Sequence, residues 1–122
     1  MKIQALIAKV AVAVPMVAVI AIAADAPATV KGYVLDSACA FRKSLEKPIS
    51  KQCATACAKA GSQLVILAED GTIYWPIADT TPSSGQNAKL LPFAGDKVMA
   101  TGKTYDRGGS KAIVIVKIEA AK

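Results

Sequence analysis

The 122-residue sequence contains no histidine. This absence excludes a histidine general base, a Ser-His-Asp triad and every metal site that has an imidazole ligand. The chain also lacks a glycine-rich phosphate loop and a Gly-x-Ser-x-Gly nucleophile, and its carboxylates are scattered or belong to turns instead of forming a close catalytic pair. We therefore predict that the protein is not an enzyme.

The chain has no apolar run long enough to span a bilayer. Residues 10–24 form an uncharged stretch of 15 residues that Pro15 interrupts and Lys9 precedes, whereas a membrane-spanning helix needs roughly 20 apolar residues. A stretch of this length near the N-terminus is typical of the apolar region of a secretory signal. A cleaved signal is therefore favoured, and a retained anchor is the alternative.

The N-terminus has the other features of such a signal. Lys2 makes the start basic, and small residues follow the apolar stretch. We predict a signal peptide over residues 1–23, cleaved near Ala23 to Ala26, and a mature domain over residues 27–122. This domain is expected to be exported, and to be periplasmic or secreted after cleavage.

The mature domain is mildly basic. The whole chain has a net charge of +6, and removal of Lys2 and Lys9 with the signal lowers it to +4. At this charge no specific nucleic-acid partner is expected. The basic residues are concentrated in one region, which we call the basic segment: Lys31, Arg42, Lys43, Lys47, Lys51 and Lys59. This segment is predicted to make a weak contact with an anionic surface, or simply to be solvated.

Five short segments of the mature chain are rich in β-formers and are bounded by turn residues. They are residues 29–36, 63–68, 72–78, 97–105 and 112–119. Asp70-Gly71 and Gly108-Gly109 predict tight hairpin connections, because such turns need residues that accept a positive φ. Five strands that coil and close predict a mainly β fold, a small OB-like barrel, with a three-on-two sandwich as the alternative.

Side-chain alternation indicates how the strands pack. Trp75 shares a face with two isoleucines, which predicts that it lies in the core. Gly102, in the middle of its strand, predicts a sharp bend or a close approach of another backbone. The last strand carries an apolar face made of Ala112, Val114, Val116 and Ile118.

One short helix is predicted after the first strand. Residues 51–60 are mostly good helix formers, Ser50 is placed to cap their N-terminus and Gly61 to end them. The preceding residues 37–48 are predicted to be a polar loop that contains a helical turn. A helix of this length is marginal alone, so it must pack against the barrel.

The chemically distinctive residues are Cys39, Cys53 and Cys57. On a helix, Cys53 and Cys57 have Cβ atoms roughly 5–6 Å apart, whereas a disulfide needs about 3.8 Å. In an oxidising compartment we expect one structural disulfide, from Cys39 to Cys53 or to Cys57. Alternatively, all three sulfurs bind Cu(I) or zinc, with Asp36, Glu46 or water as the fourth zinc ligand. A redox-active or intermolecular thiol is the third interpretation.

A binding face is a further prediction. Tyr33 and Tyr105, next to Lys31 and Lys103, are the candidates for an exposed face that contacts a ligand. The ligand would be a small molecule or another protein. The aromatic residues are also explained by the preference of β-strands for them, so this prediction competes with a purely structural one.

A set of short motifs spans most of the mature chain. They are Asp36-Ser37-x-Cys39, Lys51-x-Cys53-x3-Cys57-x-Lys59-x-Gly61, Gly71-Thr72-Ile73-Tyr74, Phe93-Ala94-Gly95-Asp96-Lys97-Val98 and Thr101-Gly102. From Val30 to Ile118 the sequence resembles a group of small exported bacterial proteins in which an OB-like domain carries a three-cysteine insertion after its first strand. The resemblance implies the fold and export, and no established activity. Some members have a histidine shortly before the second cysteine, where this chain has Lys51 or Gln52.

Overall fold

The computed structural model describes residues 10–17, 27–46 and 49–122. The predicted cleavage site at Ala23 to Ala26 lies outside the described residues, as do most of the predicted signal peptide and Lys47 of the basic segment. Within these described ranges, no helix has the length and apolar character needed to cross a membrane.

The described residues form five strands, three short helices and one 3-10 turn. In chain order they are β1 (Ala28–Asp36), α1 (Ser37–Lys43), α2 (Lys51–Lys59), β2 (Leu64–Ala68), β3 (Ile73–Pro76), α3 (Asn87–Leu90), the 3-10 turn (Leu91–Phe93), β4 (Lys97–Arg107) and β5 (Ser110–Ala120). The five strands lie where the sequence predicts them. β3 ends two residues earlier than predicted, and β4 and β5 extend to their shared hairpin turn.

The strands close into a barrel in the order β1-β2-β3-β5-β4. Neighbouring strands are antiparallel except β3 and β5, which pair in parallel and complete the closure. The predicted fold class, a mainly β chain with a small OB-like barrel, is confirmed. The positive φ of Gly71, Gly108 and Gly109 also confirms the two predicted hairpin turns.

The barrel interior is filled by aliphatic side chains from all strands except the short β3. The buried residues are Val30, Val34, Leu64, Ile66, Leu90, Val98, Ala100, Ile113 and Ile115. Tyr74 of β3 packs against them, and α3 contributes Leu90, which is fully buried. The side chains of Val98 and Ala100 lie on the inward side of β4 and are fully buried.

A second apolar cluster covers the outer face of β1, β2 and β3. Leu35, Val65 and Leu67 point outward and are buried beneath Ala40 of α1. Trp75 packs against this outer cluster and is half-buried. The prediction that Trp75 lies in the core therefore needs correction, because the ring belongs to the outer layer and not to the barrel interior.

A bulge changes the alternation of β5. Thr101 lies opposite Lys117 and Gly102 lies opposite Ile115, so Val116 has no partner on β4. Beyond this extra residue the inward and outward positions exchange. The apolar face predicted for Ala112, Val114, Val116 and Ile118 is therefore wrong as a single face: Ile113 and Ile115 point inward, and Val116 is 73% exposed.

Two helices, and not one, connect β1 to β2. α2 begins as predicted, because the Ser50 hydroxyl accepts the Cys53 backbone N–H at 3.0 Å, and it ends at Lys59, one residue before the predicted end, with Gly61 at a φ of 99°. Residues 37–43, predicted to be a loop with a helical turn, form α1. The Asp36 carboxylate caps this helix by accepting the Cys39 backbone N–H at 3.0 Å, and Arg42 and Lys43 lie in its last turn, where cations stabilise the helix dipole.

Candidate functional site

α1 and α2 are held to the barrel by small side chains. Ala40 is the buried residue of α1, and Ala54 is the buried residue of α2. Alanines remove little apolar surface from water, so these contacts supply little of the free energy that keeps helices of 7 and 9 residues folded. Lys51 at the start of α2 adds an ion pair of 2.7 Å to Asp96. Both helices also contain cysteine residues.

The three cysteines lie where the two helices approach each other. Cys39 is in the first turn of α1, Cys53 is in the first turn of α2, and Cys57 follows one turn later on α2. Cys39 and Cys57 are half-buried, and Cys53 is exposed. Cys39 and Cys53 line the same cleft of about 80 Å³, together with Asp36. The structure thus brings the predicted cysteine residues to one place.

Asp36 joins the two helices through hydrogen bonds. One carboxylate oxygen accepts the Cys39 backbone N–H at 3.0 Å, and the other accepts the Ser62 hydroxyl. The backbone N–H of Ser62 in turn donates to the Cys57 carbonyl at 3.1 Å. The side chain of Asp36 is therefore the centre of a hydrogen-bond chain that runs from α1 to the end of α2.

Asp36 is an ionised carboxylate in a nearly dry position. The residue is 4% exposed, and burial alone would raise the pKa of its carboxyl. Hydrogen bonds from Ser62, Cys39 and Ala38 outweigh burial and hold the pKa of Asp36 below its ordinary value. In the part of the chain that the structure describes, Asp36 forms no ion pair with a lysine or arginine.

The environment of the thiols favours their protonated form. Burial raises the pKa of Cys39, and the negative charge of Asp36 raises it further, while Lys43 opposes this effect. Partial burial also raises the pKa of Cys57, together with a hydrogen bond to Cys53 and the nearby charge of Asp36. As free thiols, Cys39 and Cys57 are thus weak nucleophiles at neutral pH, because the thiolate is the reactive form.

All three cysteines are free thiols in this structure. Cys53 and Cys57 are not within disulfide distance of each other, which agrees with the helical spacing expected from the sequence. Across residues 10–17, 27–46 and 49–122, no three Cys, Asp or Glu side chains are arranged to hold a metal ion. Binding of Cu(I) or zinc would therefore require these side chains, including Glu46 if it serves as a ligand, to rearrange.

The tyrosines of the predicted binding face do not lie together. Tyr33 is opposite Lys97 on β4, and Tyr105 is eight residues further along the same strand, up to about 26 Å at roughly 3.3 Å per residue. Each ring is covered by a lysine: the Lys97 amine is 5.9 Å from the centre of Tyr33, and the Lys103 amine is 5.2 Å from the centre of Tyr105. Lys31 is exposed opposite Met99, on the same side of the barrel as Tyr33.

A different pair of aromatic residues borders an open cleft. Phe41 of α1 is 66% exposed, and its ring centre is 6.2 Å from that of Trp75, with 39° between the planes. We call the space beside them the aromatic cleft. It has a volume of about 380 Å³ and is lined by Phe41, Gly71, Thr72, Ile73, Trp75, Gly109, Ser110 and Lys111.

The aromatic cleft could not be found from sequence reasoning. Phe41 stands in a stretch whose composition predicts a polar loop, and side-chain alternation predicts that Trp75 lies in the core. Their contact depends on the position of α1, which packs against β1 and β2 and brings the Phe41 ring to Trp75 on β3. A phenylalanine directly before the basic residues Arg42 and Lys43 is the one sign in the sequence that this segment has more than a connecting role.

Comparison of the chain with protein-family models, with curated proteins and with solved structures gives no match.

Proposed function

We propose that the protein is an exported, non-enzymatic binding domain whose ligand occupies the aromatic cleft. The observation that carries this proposal is the position of the cleft on the barrel. OB-like barrels bind ligands on the face of their second and third strands, between the β1–β2 and β4–β5 connections. The cleft lies against β3, between α1 and the β4–β5 turn. The likeness of this protein to ligand-binding OB-like barrels extends to the fold alone.

The lining of the aromatic cleft supports the same proposal and indicates the ligand. Phe41 is 66% exposed, so its ring is accessible to a ligand in the cleft. Phe41 and Trp75 provide ring faces for stacking, and the turn residues Gly71 and Gly109 leave backbone groups accessible beside them. This combination suits a small ring-shaped ligand with polar substituents, such as a sugar unit.

We further propose that a disulfide from Cys39 to Cys53 or Cys57 holds this site together. Cys39 is two residues before Phe41 on α1, and Ala40 is the buried contact of that helix. Closing a loop of roughly 15 residues by a disulfide stabilises a fold by about 3 kcal/mol. The bond forms when two thiols pass two electrons and two protons to an oxidant, such as a more oxidising disulfide in the exported compartment.

Substitution of Phe41 tests the location of the site. Trp75 is the sole tryptophan of the chain, so its fluorescence reports occupancy during titration with neutral cello- and chito-oligosaccharides. Phe41→Ala is expected to weaken binding at least tenfold, because one of the two stacking surfaces is lost. The matched control, Tyr105→Ala, removes an aromatic ring from the predicted tyrosine face and should leave affinity unchanged.

Two outcomes would contradict the proposal. If Tyr105→Ala or Tyr33→Ala abolishes binding and Phe41→Ala does not, then the ligand occupies the tyrosine face. If none of the oligosaccharides changes the Trp75 emission or binds by calorimetry, then the cleft does not bind sugars of this class.

A metal-handling or thiol-redox function, with Cu(I) or zinc as the metal, is the second candidate. It is supported by Asp36, an ionised and nearly buried carboxylate without a cationic partner among the described residues, next to three thiols. Alkylation of the exported protein with and without reductant, intact mass and elemental analysis distinguish the candidates. One disulfide without metal supports the structural role of the cysteines, whereas three free thiols with stoichiometric metal would overturn it.

A further inference from the structure

We infer that Cys39 exchanges its disulfide partner between Cys53 and Cys57, one helical turn apart on α2, and that this exchange moves Phe41 relative to Trp75. This inference rests on the disulfide of the proposed function and adds a regulation of the aromatic cleft. It also gives the third cysteine a role, because the thiol that is not bonded is the one that attacks next.

The positions of the three cysteines allow two alternative disulfides within the chain. Cys53 and Cys57 are four residues apart on α2 and lie on one side of it, at roughly 5–6 Å between Cβ atoms. They are not within disulfide distance of each other. A disulfide formed within this chain therefore includes Cys39, and it always leaves one thiol of α2 free beside it.

Both candidate partners are tied to the surroundings of Cys39. Cys53 lines the same cleft of about 80 Å³ as Cys39. Cys57 is connected to Cys39 by the hydrogen-bond chain through Ser62 and Asp36. The charges of Cys39 and Cys57 also influence each other, since Cys39 is among the groups that raise the pKa of Cys57. The two possible disulfides thus differ by one helical turn in the position of the α2 cysteine that bonds to Cys39.

The exchange needs no external oxidant once the first bond exists. Starting from a Cys39–Cys53 disulfide, Cys57 gives its proton to water and its thiolate attacks the Cys39 sulfur. The Cys39–Cys57 bond forms as the Cys39–Cys53 bond breaks, and Cys53 leaves as a thiolate that takes up a proton. One disulfide and one thiol are present before and after, so no electrons are gained or lost overall.

The consequence for the cleft follows from helix geometry. One turn of an α-helix advances about 5.4 Å along its axis, so the two bonds favour positions of α1 that differ by up to this distance. α1 can follow because Ala40 is its buried contact with the barrel. Phe41 moves with α1, while Trp75 stays on β3. Packed elements that shift by one turn are a known form of two-state switch.

The rate of exchange depends on the fraction of the attacking cysteine that is present as thiolate. Because burial and the charge of Asp36 raise the pKa of Cys57, little thiolate is present at neutral pH and the exchange is slow there. The rate should rise with pH as the Cys57 thiolate forms. A small thiol such as glutathione should also speed the exchange: it attacks the Cys39 sulfur and releases Cys53, and Cys57 then attacks the mixed disulfide on Cys39 and regenerates the small thiol.

Partner mapping of the full chain tests the inference. The oxidised protein is equilibrated in a glutathione redox buffer, its free thiol is alkylated, and it is digested with trypsin. Residues 52–59 form one tryptic peptide that contains Cys53 and Cys57, so fragment ions locate the label within it. We expect label on both positions of the wild-type protein, with a ratio that relaxes to the same value from either starting form.

Two trapped variants test the movement of Phe41. Cys57→Ser can form only the Cys39–Cys53 bond, and Cys53→Ser only the Cys39–Cys57 bond. The Trp75 emission should differ between the oxidised variants and become equal after reduction, and Phe41→Ala should remove the difference.

Each failure has a distinct form. If the molecule has one disulfide and the alkylation label is always found on the same cysteine of α2, then the exchange does not occur. The proposed disulfide would still stand. Three labels under non-reducing conditions overturn the disulfide of the proposed function itself. Equal Trp75 emission in the two oxidised variants overturns the link between the exchange and the cleft.

Discussion

Gly102 shows how one residue without a side chain permits the closure of this barrel. The backbone of β5 crosses β4 so closely at this point that a Cβ on Gly102 would lie 1.8 Å from the Val114 carbonyl oxygen. The same region contains the bulge at Val116, where β5 gains its extra residue. The sequence predicts the close approach, because a glycine inside a strand weakens it unless a neighbouring backbone needs the space.

We expect Gly102→Ala to lower the free energy of unfolding by at least about 2 kcal/mol, because the obstructing atom belongs to the backbone and cannot rotate away. Urea titration followed by Trp75 fluorescence measures this change. The matched control is Gly85→Ala, since a Cβ on Gly85 has no atom within 4 Å. Gly85→Ala should leave the free energy of unfolding unchanged or raise it slightly. If Gly102→Ala changes this free energy no more than Gly85→Ala does, then β4 and β5 do not approach each other closely at Gly102.

At the scale of elements, the strands and α2 could be predicted from local patterns, and α1 could not. Alternating β-formers, Asp70-Gly71 and the Ser50 cap are recognisable within a few residues of chain. α1 depends on Asp36, whose carboxylate both ends β1 and caps the helix, and which is held by Ser62, 26 residues away. The contact between Phe41 and Trp75 depends on α1 in turn, so the aromatic cleft is not a local property of the sequence.

The capping of α2 has a measurable effect on stability. Ser50→Ala is expected to lower the free energy of unfolding by about 1 kcal/mol, because the Cys53 backbone N–H loses its acceptor. Ser84→Ala, in the exposed loop between β3 and α3, is the control and should change the free energy by less than about 0.5 kcal/mol. Chemical denaturation of the two variants in parallel measures the difference; equal effects would mean that Ser50 does not cap α2.

At the scale of the whole molecule, the cysteine region makes stability depend on pH in two directions. The folded state lowers the pKa of Asp36, so this carboxyl contributes stability above its unfolded pKa of about 3.9, and the contribution is lost as the pH falls through the folded value. The folded state raises the pKa of Cys39 and of Cys57. Their contribution is complete below an unfolded pKa of about 8.5 and is lost as the pH rises through the folded values.

We therefore expect the free energy of unfolding of the reduced protein to be constant near neutral pH and to fall at both acidic and alkaline pH, as measured by denaturation across the pH range. Asp36→Asn should remove part of the loss of stability at acidic pH. It should also reduce the loss at alkaline pH, because the negative charge that disfavours the thiolates of Cys39 and Cys57 is absent. In the oxidised protein the alkaline fall should shrink, since bonded cysteines do not titrate. An alkaline fall of equal size in both redox states would show that Cys39 and Cys57 do not cause it.

β1, the first strand of the barrel, has most of its partners far along the chain. Ala28 pairs with Gly102 on β4, across 74 positions. Chains whose contacts join distant positions fold slowly, because the intervening polypeptide must be ordered before those contacts form. A chain synthesised from its N-terminus therefore leaves one edge of β1 unpaired until β4 has been made.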